Sequence, residues 1–188
     1  RRFDPSYRRA HEQLQRGDIG TPFLVRSQTC DMNDPSGFFV QYAAKSGGLF
    51  MDCSVHDIDL ARWMLGNPRV ERVYATGTVA MHPGLVAHGD VDNGLAIVEF
   101  EGGQRAMFYA SRTLPHGHET TTEVIGTTGT VQIGFAQKPN QPHRADLMAV
   151  YAAKGVAAGQ CSTGEQKAML IAIVLAHAGL LDAERPRL

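Results

Sequence analysis

Two hydrophobic periods alternate along this chain and predict its elements. Tyr7, Ala10 and Leu14 recur at helical spacing. They follow Asp4-Pro5, a pair suited to the N-cap and first helical position, and Gly17 ends the run. Residues 23–29 read as a strand, and residues 31–37, rich in Asp, Asn, Pro and Gly, as a loop. Ser46-Gly47-Gly48 precedes a second helix over residues 51–65, closed by Gly66-Asn67-Pro68. Residues 70–80 form a strand of β-branched and aromatic residues. Residues 93–100 and 104–112 pair around Glu101-Gly102-Gly103, and residues 120–125 and 130–133 form a second hairpin around residues 126–129. A loop over residues 139–143 follows, and Ser162 with Glu165 makes a capping box opening a last helix over residues 165–181.

Strands clustered in the middle with helices around them predict an α+β domain. Leu95-Ala96-Ile97-Val98 is continuously apolar. That predicts a sheet covered on both faces, by helices on one and by a partner subunit on the other.

Composition narrows the function classes. The chain of 188 residues is 43% hydrophobic and 20% charged, which suffices for a core without disulfides or a structural metal. A net charge of -1 argues against nucleic-acid binding. The longest apolar run, residues 168–176, falls short of the ~20 residues that cross a bilayer. Cys30, Cys53 and Cys161 are odd in number, widely spaced and without a CxxC pair. They read as thiols of a reducing, cytoplasmic compartment and carry no zinc signature. The chain opens at Arg1-Arg2-Phe3-Asp4-Pro5 with no initiator Met and no signal peptide pattern, which reads as the interior of a longer protein.

The densest polar cluster on an apolar segment is Asp52-Cys53-Ser54-Val55-His56-Asp57-Ile58-Asp59. On a continuous helix Asp52, His56 and Asp59 share one face. A neighbouring carboxylate can fix a histidine's tautomer and raise its basicity, and such a histidine can take a proton from a hydroxyl. The same residues also fit a solvated helix face with a carboxylate in its first turn, or a divalent-metal site. If Ser54 is the N-cap, Asp52 precedes the helix and the shared face weakens. Asp31 opens the loop after the first strand, and His116-Gly117-His118 follows a strand ending Ser111-Arg112-Thr113. Sheet-end loops are common places for ligand contacts, but from residue types alone these positions read first as ordinary surface residues. Arg112 and Arg26 read as strand residues facing solvent or in salt bridges, and Trp63 with Leu60 and Met64 as core.

Several segments together resemble the Gfo/Idh/MocA oxidoreductase family and its inositol 2-dehydrogenase branch. They are Arg1-Arg2-Phe3-Asp4-Pro5-Ser6-Tyr7, Gly17-Asp18-Ile19-Gly20, Val25-Arg26-Ser27, Gly47-Gly48 through Trp63, Gly89-Asp90-Val91-Asp92-Asn93, Ser111-Arg112-Thr113, His116-Gly117 and Glu123 to Thr127. The resemblance implies the C-terminal domain of a two-domain dehydrogenase, a large, mostly antiparallel sheet with helices on one face. Residues 1–20 would be a remnant of the N-terminal nucleotide-binding domain, and residues 21–188 the substrate-binding and oligomerisation domain. The Rossmann domain would be largely absent, since neither a glycine-rich dinucleotide fingerprint nor the family's Glu-Lys-Pro occurs in the sequence.

The implied activity is NAD(P)-dependent oxidation of a cyclitol or sugar hydroxyl, with NAD or NADP bound mainly by the missing domain and the isolated chain inactive. The alternative is a non-catalytic ligand-binding or regulatory member of the same fold. Positions matching Asp52 and His56 are catalytic in the family, with His56 taking the hydroxyl proton. Asp59 would bind substrate hydroxyls, Arg2 lies close to the active site, and Asp31 and His118 are further candidate substrate contacts. The implied partners are a small polyol and a second copy packed on the sheet; no nucleic acid, membrane or metal is implied. Two departures stand out. His118 occupies a position that is often Tyr in the inositol branch, and residues 142–164 are short for the family.

Overall fold

The computed structural model describes residues 1–115, 117–136 and 151–152. Helix α1 spans Pro5–Gln15, and the Asp4 carboxylate accepts the Ser6 N–H at 2.8 Å as its cap, a contact worth about 1 kcal/mol. Strand β1, Pro22–Met32, runs three residues beyond the expected end, so Asp31 lies on the strand and not in the following loop. Helix α2, Phe38–Ser46, is absent from the sequence expectation. Only Phe39 and Ala43 of it are buried, so the apolar stripe is too narrow to read as a helical period. Gly47, at φ 77°, supplies the left-handed residue that ends it.

The helix expected over residues 51–65 is interrupted. A π-helical turn, Phe50–Ser54, precedes α3, Val55–Met64, and the Val55 N–H reaches the Phe50 carbonyl across one extra residue. The remaining strands are β2 Val70–Thr78, β3 Asn93–Phe100, β4 Arg105–Leu114, β5 Glu119–Gly126, β6 Thr130–Ala136 and the two-residue β7 Tyr151–Ala152. The expected loop at residues 139–143, the Ser162–Glu165 capping box, the helix over residues 165–181, Cys161 and His116 lie outside the described residues.

The sheet order is β2-β3-β4-β1-β5-β6-β7. Among the described strands only β1 and β4 pair in parallel, so the sheet is mostly antiparallel. One face carries the core. Tyr7, Leu14 and Ile19 from the α1 segment and Leu60 and Met64 from α3 pack on Val25, Val98, Phe100, Phe108, Val124 and Val131. The helices therefore cover one face, as expected. On the opposite face Tyr74, Leu95, Ile97 and Met107 stay exposed, with Leu95 at 51%. Among the described residues that face has no cover, so they do not bury the continuous apolar run on β3 on both sides. No helix of the described residues is long and apolar enough to cross a membrane.

Candidate active site

The site lies where the ends of β1 and β4 meet α2 and the π turn. A cavity of about 430 Å³ is lined by Asp31 and Met32 from β1, Phe38, Phe39 and Tyr42 from α2, Asp52 from the π turn and His118 before β5. It thus brings together three of the six expected residues: Asp31, Asp52 and His118. Tyr42 is an addition.

Asp31, Asp52, His118 and Tyr42 each hold a polar partner there. The Asp31 carboxylate meets His118 Nδ1 at 3.1 Å and accepts from the Cys53 thiol at 3.6 Å. That hydrogen bond to Asp31 raises the His118 pKa above the ordinary histidine value. Arg112 Nη2 donates to Asp52 Oδ2 at 2.9 Å, and the Tyr42 hydroxyl donates to Asp52 Oδ1 at 3.2 Å. The Asp52 charge, followed by burial, raises the Tyr42 phenol, which stays protonated as a donor. One wall is apolar, with the Phe38 and Tyr42 rings stacked at 5.5 Å.

The other three expected residues, His56, Asp59 and Arg2, do not line the cavity; they lie on α3 and among the chain's first residues. Arg2 grips Asp59 with both ends of its fork, at 2.7 and 2.5 Å, so both carboxylate oxygens already hold a partner. Arg2 also lies 5.7 Å from the Trp63 ring, which stacks on His11. Arg1 is paired with Asp57, a fully buried carboxylate next to His56 that also accepts from Ser27 and Thr29.

His56, the second residue of α3, differs from expectation. Asp52 is committed to Arg112 and Tyr42, so it does not raise the basicity of His56. Burial first, and then the Arg1 charge, lower the His56 pKa to about 4. The imidazole is therefore neutral at pH 7. The π turn inserts a residue between the two side chains and separates their partners, which a continuous 3.6-residue period could not show.

This shift carries a stability prediction. The unfolded histidine titrates near ~6.5 and takes up its proton before the folded one. Stability attributable to His56 is intact above that value and falls as pH drops from ~6.5 toward ~4, by on the order of 2 kcal/mol after allowance for partial exposure. His118 acts in the opposite sense: its raised pKa adds stability at low pH that is lost as pH rises through the folded value. Urea unfolding of wild type and His56→Gln at pH 7 and pH 4.5 checks this. The variant should lose less stability on acidification, and parallel losses would refute the assignment.

Asp31, Asp52 and Cys53 place one ligand atom each within 4.8 Å of one another. The resulting set differs from the His-plus-two-carboxylate metal site considered from sequence. Burial raises the Cys53 thiol above its ordinary range, and the Arg112 guanidinium already supplies the positive charge beside Asp52. Cys30, also buried, is pushed up to about 12, and neither thiol is a nucleophile at neutral pH.

The sequence reading missed Tyr42, Asp57, Asp90 and the burial of Arg112. Arg112 was legible in principle. Ala106, Phe108, Ala110 and Arg112 form one row at period two, and that row faces the helices.

Comparison with known proteins places these residues among relatives. Residues 7–132 match the family described as the GFO/IDH/MocA C-terminal domain. The chain is 41% identical over 134 residues to scyllo-inositol 2-dehydrogenase (NAD(+)) of Bacillus subtilis, covering 71% of this chain and 38% of that protein. It is 33% identical over 131 residues to myo-inositol 2-dehydrogenase of Thermotoga maritima, covering 70% of this chain and 38% of that protein. Among solved structures, scyllo-inositol dehydrogenase from Lactobacillus casei with bound NAD(H) and scyllo-inositol superposes with a TM-score of 0.66 at 31% identity, covering 97% of this chain and 53% of that one. The chain thus spans about half the length of this solved relative and less than half of the sequence relatives.

Proposed function

Since this chain belongs to the GFO/IDH/MocA family and matches its C-terminal domain, we propose that it is the substrate-binding part of an NAD(P)-dependent dehydrogenase acting on a cyclitol or sugar hydroxyl. The observation that carries this is the convergence of Asp31, Asp52, His118 and Tyr42 on one cavity with an aromatic wall. Carboxylates, an imidazole and a phenol suit a ring of hydroxyls, and the Phe38 face suits its C–H side. Relatives named as inositol dehydrogenases support the substrate class.

The described residues form no dinucleotide cradle: Gly47-Gly48 does not join a strand to a helix N-terminus. In this reading the nicotinamide cofactor is held by another domain and supplies the hydride acceptor. This chain's residues bind the polyol and move its proton. Asp52 anchors a hydroxyl, and neutral His56, one turn on, accepts the hydroxyl proton. The Arg2–Asp59 pair borders the site and turns to substrate when a polyol enters. Residues 1–20 are the passage from the nucleotide-binding domain, with α1 packed into the core of the substrate domain. The open sheet face receives a second copy of the chain, and the enzyme works in the reducing cytoplasm with Cys30 and Cys53 as free thiols.

The test is NADH or NADPH formation with myo-inositol and scyllo-inositol. The full-length protein should turn over, and the 188-residue chain alone should not. A full-length protein that binds cyclitol without reducing cofactor would favour the regulatory alternative.

A further inference from the structure

We propose that Arg112 is a positioning residue that fixes the rotation of the Asp52 carboxylate at the cavity edge. This rests on the functional reading of Asp52 above. Arg112 ends the inward row of β4, where one residue of β1, Asp31, opposes two of β4, Arg112 and Thr113, between the pairs Cys30–Ser111 and Met32–Leu114. Such an irregularity re-aims side chains at a sheet's end. The side chain has no solvent exposure, whereas that of Asp52 is 28% exposed.

The guanidinium holds the segment carrying Asp52 at two points. Nη2 donates to Asp52 Oδ2 at 2.9 Å, and Nη1 donates to Asp90 Oδ2 at 3.3 Å. Asp90 Oδ1 in turn accepts the Leu49 N–H at 2.8 Å, at the entry to the π turn. The fork therefore ties the entry and the middle of that turn to β4. With Oδ2 held by Arg112 and Oδ1 by Tyr42, the carboxylate plane cannot swing. Phe39, which lines the cavity, lies 5.1 Å beneath the guanidinium.

A role in stability alone explains this poorly. Burying a guanidinium is costly, and an apolar residue of similar volume commonly serves the fold as well. Here Arg112 Nε is left without a partner while the two Nη atoms reach carboxylates from different segments. Lysine could not reproduce that fork.

The test is a double-mutant cycle in the full-length protein, using Arg112→Met, Arg112→Lys, Asp52→Asn and the two combinations, with cyclitol oxidation as readout. Arg112→Met should lower kcat by about 100-fold with KM changed by less than about threefold, and Arg112→Lys should recover about tenfold of that loss. In the Asp52→Asn background, either Arg112 substitution should lower kcat by less than about threefold further. Losses that multiply, or a change confined to KM, would overturn the positioning role while leaving the functional reading intact. An Asp52→Asn protein with near-normal kcat would overturn both. If Arg112→Met does not fold, the Arg112→Lys arm of the cycle separates the same outcomes.

Discussion

Replacing His56 by glutamine in the full-length protein should lower kcat by about 10²–10⁴-fold, the range expected when a general base is removed. The half-buried imidazole lies near the Arg1 charge and holds no proton at neutral pH, because its pKa lies at about 4. It is therefore free to accept one throughout the physiological range. Glutamine keeps much of the volume and a hydrogen-bonding group but cannot take a proton. The loss should fall on kcat, with KM changed little, since the hydroxyl-binding groups of the cavity remain. Steady-state kinetics with saturating cofactor checks it. A variant within about threefold of wild-type kcat would remove His56 from the chemistry.

The second large effect concerns stability and needs no cofactor. Asp57→Ala should destabilise the chain by about 3–5 kcal/mol, the cost of removing one partner from a buried ion pair. Asp57 is fully buried, and its carboxylate accepts from Ser27 Oγ at 2.7 Å, Thr29 Oγ1 at 2.8 Å and Arg1 Nη1 at 2.9 Å. Burial raises its pKa, opposed by Arg1 and the two hydroxyls. Alanine would leave the Arg1 guanidinium, only 13% exposed, without its carboxylate, and would unhook α3 from β1. That is a large fraction of an ordinary domain's stability. Urea unfolding should show a clear drop in midpoint, and a shift worth less than about 1 kcal/mol would contradict the assigned role of the pair.

These cases also show what the sequence could reveal. The strands of β3 to β6 announced themselves through alternation and glycine turns, and α1 through Asp4-Pro5 and Gly17, because these signals are local. Helix α2 did not, since only two of its residues face the core. Helical spacing predicted a shared face for Asp52 and His56, and the structure places Asp52 on the π turn and His56 on α3. Their partners could not be read from spacing, because the π turn changes the period between them and Arg112 arrives from β4, 60 positions along the chain. Asp57 hid for a related reason. Within Asp52-Cys53-Ser54-Val55-His56-Asp57-Ile58-Asp59 it reads as one more surface carboxylate, and only the pairing of α3 with β1 shows it as fully buried. Arg2 and Asp59 were both expected near substrate, and they face each other.

At the centre of the proposed function, a polyol hydroxyl is held between Asp52 and His56 at the Asp31–His118 cavity. A crystal structure of the full-length protein with NAD and a cyclitol tests this most directly. A ring hydroxyl is expected within about 2.6–3.2 Å of both His56 and Asp52, with other hydroxyls on Asp31 or His118. A cyclitol bound elsewhere, or one with no hydroxyl within hydrogen-bond reach of His56, would contradict it.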